Sequence, residues 1–169
     1  FDKLCELGVT SLTVPEEYGG SGKDMMATIA IIEELASRSL GIASGFIFCA
    51  CYAGLNISEA ASEAQKQELL PKVAKGKMLF SYGISEPDVG ADVASVRTKA
   101  VIDGDQVLIN GTKRWCSGPN ITDFIYTIVR SGPEEERYKN LSIVLIPPKT
   151  EGVTIQAQET LGQKGAGGT

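Results

Sequence analysis

The stretch Tyr82-Gly83-Ile84-Ser85-Glu86-Pro87-Asp88-Val89-Gly90-Ala91-Asp92 carries the residue types best suited to hold a ligand. A β-rich run ends there and a loop begins, so backbone N–H groups lose their ladder partners and can face a bound molecule. A second segment, Asn110-Gly111-Thr112-Lys113-Arg114-Trp115-Cys116-Ser117-Gly118, reads as a hairpin that delivers an indole and a hydroxyl to the next strand. An aromatic plane beside hydrogen-bond donors suits a planar heteroaromatic ring. By residue type alone each feature also has a plainer reading. The first stretch reads equally as a loop held by Ser and Asp side chains, Trp115 as a core residue, and Glu86 and Asp92 as turn-stabilising or ion-paired carboxylates instead of an acid–base pair.

Positioning such segments requires two kinds of structure. Ser21 with Asp24 reads as a helix start leading into Met25, Ile29, Ile32, Leu35 and Ala36 at helical spacing. Ile42 to Leu55 is apolar nearly all round and rich in Ala, Cys and Gly, the pattern of a helix inside a bundle. Ser58 to Lys75 returns to amphipathic order, with Pro71 marking a bend or break. From about Met78 the period changes to β. Met78–Ser85, Val96–Ile102, Gln106–Ile109, Phe124–Val129, Leu141–Ile146 and Val153–Ala157 read as strands. Asp103-Gly104 and Asn110-Gly111 accept the left-handed torsions of tight hairpins. Closely spaced strands without crossover helices predict an antiparallel sandwich or barrel.

Composition excludes several chemistries. The 169 residues contain no histidine, which removes Ser-His-Asp and Cys-His nucleophile systems and the usual zinc sets. The four cysteines, Cys5, Cys49, Cys51 and Cys116, have neither disulfide-scaffold density nor metal-knuckle spacing, so they read as small buried hydrophobes in a reducing compartment. A net charge of -5 gives no electrostatic reason to approach nucleic acid. Gly45 and Gly54 punctuate the most apolar run, so no membrane span is expected. Gly162 to Gly168 lacks both the Walker spacing and the strand–GxGxxG–helix context, and reads as a flexible turn. The opening at Phe1 and the close on Gly165-Ala166-Gly167-Gly168-Thr169 suggest a processed or truncated chain.

Gly83-Ile84-Ser85-Glu86-Pro87-Asp88-Val89-Gly90-Ala91-Asp92 resembles the flavin signature of the acyl-CoA dehydrogenase family. That signature runs small, aliphatic, Ser or Thr, Glu-Pro, two variable or small residues, Gly, Ser or Thr, Asp. Val14-Pro15-Glu16-Glu17-Tyr18-Gly19-Gly20, Glu33-Glu34-Leu35-Ala36, Gln67 to Pro71, Asn110 to Trp115 and Leu161-Gly162-Gln163-Lys164 are similar to it in order and spacing, so the resemblance covers essentially the whole chain. It implies an α+β multidomain fold, with an incomplete N-terminal α-helical domain (1–77) and an antiparallel, flavin-binding β-barrel domain (78–169). A C-terminal helical bundle is expected outside this chain.

The resemblance also implies FAD, held by Tyr82, Gly83, Ile84, Ser85, Gly90, Ala91, Trp115, Cys116 and Ser117. The Ile84 amide and the Ser85 amide and hydroxyl would address the pyrimidine edge near N1 and O2, Trp115 would cover a face of the ring, and Ser117 would reach N5. Two positions depart from the family pattern. Val89 is larger than the usual Gly or Ala, and Ala91 replaces a Ser or Thr, which leaves only its backbone for substrate. The implied reaction is oxidation of an acyl-CoA thioester to its trans-2-enoyl form, with hydride passing to flavin N5. The general base is expected in the C-terminal bundle and no catalytic residue in this chain, so the chain alone is expected to be inert and to bind FAD weakly. Implied partners are acyl-CoA, an electron-transfer flavoprotein and further copies of the chain in a dimer or tetramer, without nucleic acid, metal or membrane span. The implied compartment is the cytoplasm in a bacterium or the mitochondrial matrix in a eukaryote. A flavin monooxygenase and a non-catalytic interaction module remain the alternatives.

Overall fold

Helical spacing of apolar residues dominates the first half of the chain and short β-rich runs the second, and the computed structural model follows that change. It describes residues 1–159 and 167–168. Contacts divide the chain into two units, Phe1–Phe80 and Ser81–Thr169.

In the first unit, α1 (Asp2–Glu6) and two short 3-10 turns (Val9–Ser11, Glu16–Tyr18) precede α2 (Met25–Arg38). Asp24, not Ser21, caps α2: its carboxylate accepts the Ala27 N–H at 2.9 Å. Ser21 instead lies with its Oγ 2.5 Å from Ser11 Oγ. α3 (Leu40–Phe46) continues through a π-helical stretch (Ile47–Leu55) into α4 (Asn56–Ala60). An 18-residue window of this 21-residue run has a mean hydropathy of 1.7 and so meets the length and composition of a membrane span, contrary to the expectation from Gly45 and Gly54. The two glycines do not interrupt the helix, and they lower its hydropathy too little to matter. Within this unit the run carries core side chains: Phe46, Cys49, Ala50, Ala53 and Ile57 are buried along with Leu70 and Val73 of α5 (Glu63–Ala74).

Ala61 and Ser62 break the helix before α5, where Ser62 and Gln65 form a reciprocal capping box. A bend or break was expected at Pro71, yet α5 runs through it to Ala74. Burial of Leu69, Leu70, Val73 and Ala74 offsets the one backbone bond that proline cannot donate. Gly54 is set by close approach. A Cβ there would overlap Thr13 Oγ1, which donates to the Ala50 carbonyl at 2.7 Å. Gly54→Ala is therefore expected to destabilise this unit by about 1–3 kcal/mol through overpacking, read as a lowered denaturant midpoint. An unchanged midpoint would show that Thr13 moves aside freely.

In the second unit the strands are β1 (Phe80–Gly83), β2 (Lys99–Asp103), β3 (Gln106–Asn110), β4 (Cys116–Ser117), β5 (Phe124–Arg130), β6 (Leu141–Ile146), β7 (Ala157–Gln158) and β8 (Gly167–Gly168). β2 and β3 form a hairpin with Asp103 opposite Gln106, and Gly104 takes φ +59 in its turn. Asn110-Gly111 forms no such hairpin. Gly111 is instead required by contact, since a Cβ would meet Thr98 Cα at 2.7 Å. The run Gly162–Gly168 was read as a turn, but Gly167 and Gly168 pair with both β4 and β7. The remainder of that run, and with it Leu161-Gly162-Gln163-Lys164, lies outside the described residues.

The expected β-barrel does not form. Among the described residues there is one open sheet in the order β1-β5-β2-β3 with β6 beside β5, and a separate three-stranded sheet in the order β4-β8-β7. Closure needs the last strand of the path to pair back on the first. Among the described residues β3 pairs only with β2, and β2 meets β5 at a single parallel position, Lys99 opposite Arg130. Val101, Ile102, Val107 and Leu108 are exposed along the hairpin, so no second layer covers them among the described residues.

Candidate functional site

β1 ends where its chain passes closest to its neighbours. A Cβ on Gly83 would stand 3.0 Å from Ile125 Cγ2, 3.1 Å from Thr127 Oγ1 and 3.4 Å from Lys113 Cγ, so glycine lets the Lys113 stem close over the strand end. Beyond it the backbone is held from both sides. The Ile84 carbonyl accepts from Lys113 Nζ at 3.2 Å, and the Ser85 carbonyl accepts the Arg114 N–H at 2.7 Å. Glu86 and Val89 exchange backbone bonds of 2.8 and 3.2 Å across exposed Pro87 and Asp88. The Ile84 and Ser85 N–H groups and the Ser85 hydroxyl have no partner among the described residues.

Glu86 organises this loop. It is 7% exposed, and its carboxylate accepts the Arg97 N–H at 2.8 Å, the Thr98 N–H at 2.9 Å, the Thr98 hydroxyl at 2.5 Å and Lys113 Nζ at 2.9 Å. Burial raises its pKa, but the bonds from the Thr98 hydroxyl, the two amides and Lys113 outweigh burial and hold it down at about 2. A carboxylate so held is a poor proton acceptor, which disposes of the acid–base reading of Glu86. Lys113 carries the opposite balance: burial lowers its pKa more than Glu86 raises it. The pair thus bears a desolvation cost on its lysine side, while the carboxylate stays ionised through four donors. Asp92 accepts from Ser95 Oγ at 2.5 Å and pairs with exposed Arg137 at 3.1 Å, a turn-stabilising role.

The second segment meets the first through Lys113 and Arg114. Trp115, expected in the core by residue type, is 59% exposed and adopts φ +62. A left-handed torsion at a tryptophan is strained and turns the indole outward. The Arg114 guanidinium lies 4.5 Å from the centre of that ring, and its buried Nε has no hydrogen-bond partner among the described residues. On β4 the alternation sends Cys116 inward and leaves Ser117 exposed. Burial pushes the Cys116 thiol up despite a hydrogen bond with Ser81. Cys49 is buried as well, whereas Cys5 and Cys51 are half-buried, and none of the four forms a disulfide.

The remaining sequence-derived residues fall into place around this frame. The Tyr82 ring tilts against Tyr126 at 5.4 Å, which commits its side chain to the sheet. Gly90 borders open space, Ala91 is exposed, and the larger Val89 is accommodated by burial. A cavity of about 630 Å³ opens in the same unit between the β2–β3 hairpin, Ile125, Ile146 and residues 150–156. Of the nine residues expected to hold FAD only Cys116 lines it, so the free donors of Ile84 and Ser85 do not belong to that cavity.

Lys113, Thr98 and Arg130 were not singled out in the sequence. Arg130 is 6% exposed and donates Nε to the Val96 carbonyl at 3.0 Å, Nη2 to Ala94 at 2.5 Å and Nη1 to Arg137 at 3.4 Å. It thereby fixes the turn from which Arg97 and Thr98 reach Glu86. The available signal was a cation closing the apolar strand Phe124–Arg130 and a lysine two residues before the tryptophan.

Residues 1–77 match the family of acyl-CoA dehydrogenase N-terminal domains and residues 81–169 that of the middle domains. The chain is 34% identical over 173 residues to (2S)-methylsuccinyl-CoA dehydrogenase of Cereibacter sphaeroides, covering 97% of this chain and 31% of that protein. Its structure is similar to a glutaryl-coenzyme A dehydrogenase in complex with glutaryl-CoA, with a TM-score of 0.86 and 28% identity, over 99% of this chain and 43% of that one. It is also similar to a chain in a structure of the electron transferring flavoprotein of Acidaminococcus fermentans, with a TM-score of 0.82 and 26% identity, over 94% of this chain and 42% of that one. The chain spans less than half the length of these relatives. With both domain families matched in order along its length, the chain belongs to the acyl-CoA dehydrogenase family.

Proposed function

We propose that this chain supplies the flavin-facing part of an FAD-dependent acyl-CoA dehydrogenase. The observation that carries the reading is the pair of unpartnered N–H groups at Ile84 and Ser85, set beside the segment that bears an outward-facing Trp115. FAD, when bound, would accept hydride at N5 from the β-carbon of an acyl-CoA whose α-proton goes to a carboxylate base. The residues present suit that group, because two free amides and a hydroxyl at a strand end can donate to the electron-rich N1 and O2 edge. Fixed donors there favour the reduced ring and so draw electrons from substrate.

In this reading Trp115 covers one face of the ring, and the exposed Ser117 hydroxyl donates near N5. Tyr82, Gly83 and Cys116 contribute strand backbone, while Gly90 and Ala91 leave open space and main-chain groups for cofactor and acyl-CoA. Glu86 does not act as the base, since its donors hold it at about 2. The base would come from a C-terminal bundle of the longer protein. Similarity to an electron transferring flavoprotein structure supports an electron-transfer flavoprotein as acceptor.

The test is FAD titration of the full-length protein, followed by anaerobic addition of acyl-CoA. Flavin should bind, and its visible band should bleach without oxygen. Trp115→Ala should weaken FAD by about tenfold, the scale of one lost aromatic contact. Absence of any spectral change on titration would remove the flavin reading. Bleaching only by an external reductant, with oxygen required for turnover, would favour a monooxygenase on the same fold.

A further inference from the structure

Lys113 holds one of the two peptide units on which the proposed flavin contact turns. The Ile84–Ser85 peptide is trans, so its carbonyl and the Ser85 N–H point in opposite directions from one rigid plane. Lys113 Nζ grips the carbonyl at 3.2 Å and is itself anchored to Glu86 Oε1 at 2.9 Å. Glu86 is in turn tied to Arg97 and Thr98, so the anchor does not drift. On the far side of Ser85, the bond from the Arg114 N–H at 2.7 Å fixes the next peptide plane. Only the N–H faces of the two planes preceding that bond are left to meet a ligand.

We infer that Lys113 is a positioning residue that aims and polarises the Ser85 amide. A cation on the carbonyl draws charge along the peptide, which makes the opposite N–H a stronger donor. Glu86 neutralises that cation, so the amide is sharpened without adding net charge beneath the ring. The lysine stem passes over Gly83, where a Cβ would crowd Ile125 and Thr127 and stand 3.4 Å from the Lys113 Cγ, so the glycine of the motif lies against the same device. The flavin consequence rests on the function proposed above, whereas the hold on the peptide plane does not.

Two measurements on the full-length protein separate these layers. In the flavin-free, isotope-labelled protein, Lys113→Met should shift the Ile84 carbonyl resonance and lower the Ser85 amide order parameter from about 0.85 toward 0.6. The double variant E86Q/K113M removes both charges together and provides the same readout if the single variant folds poorly. With FAD labelled at C2, both variants should move the C2 resonance toward its value without a hydrogen bond and raise Kd by about tenfold, the scale of one hydrogen bond. Lys113→Arg, which keeps a cationic donor, should restore part of each effect. A folded double variant with unchanged Ile84 and Ser85 signals would overturn the inference. Wild-type protein that ignores FAD, while Lys113→Met still loosens Ser85, would sink the flavin reading and leave the positioning role standing.

Discussion

Replacing Glu86 with alanine should cost the second unit about 3–5 kcal/mol, because the Lys113 ammonium and two amides would remain buried without their shared acceptor. The same group governs behaviour in acid. Its folded pKa, about 2, lies below the ordinary value near 4.5, so the folded state binds that proton less readily than the unfolded chain. The carboxylate's contribution is therefore complete above about pH 4.5 and fades as pH falls toward 2, a total of roughly 3 kcal/mol. Urea denaturation between pH 6 and 2 checks this. The wild-type midpoint should fall on that interval, and Glu86→Gln should show a flatter profile from a lower starting value. Parallel profiles in the two proteins would mean that other carboxylates set the acid limb.

Arg130→Met is the second large effect expected. The guanidinium serves the Ala94, Val96 and Arg137 carbonyls from a buried position and has no carboxylate partner among the described residues. Its loss should leave at least two buried acceptors unpaired and cost about 2–4 kcal/mol. Arg130→Lys should recover little, because one ammonium cannot reproduce the planar fork that reaches three carbonyls. Hydrogen exchange offers the more specific check. The Thr98 amide, which donates to Glu86, should lose protection in Arg130→Met even under conditions where the protein stays folded. Retained protection at Thr98 would show that the Val93–Ser95 turn holds itself.

The consequences of these two substitutions converge on one loop, and that convergence was only partly legible beforehand. The spacing of Gly83, Ser85, Glu86-Pro87 and Gly90 marked the loop and its family, and the β-rich runs Phe124–Val129 and Leu141–Ile146 marked the paired strands. Helical periodicity located α2, although the cap proved to be Asp24. Pro71 and Asn110-Gly111 misled for a common reason. Local propensity names what a residue prefers, while burial of Leu70 and Val73, or the approach of Thr98 to Gly111, decided what it does.

The sequence by itself determined which residues carry donors, which stretches alternate and to which family the motif points, since those depend on residue type and order. Tertiary structure alone decided that the β2–β3 hairpin stays open instead of closing a barrel, that Trp115 turns outward, and that Lys113, Thr98 and Arg130 converge behind Glu86. The physical reason is range. Strand closure and buried polar networks join groups 11 to 36 positions apart, and no local pattern encodes which distant donor a carboxylate or carbonyl will find.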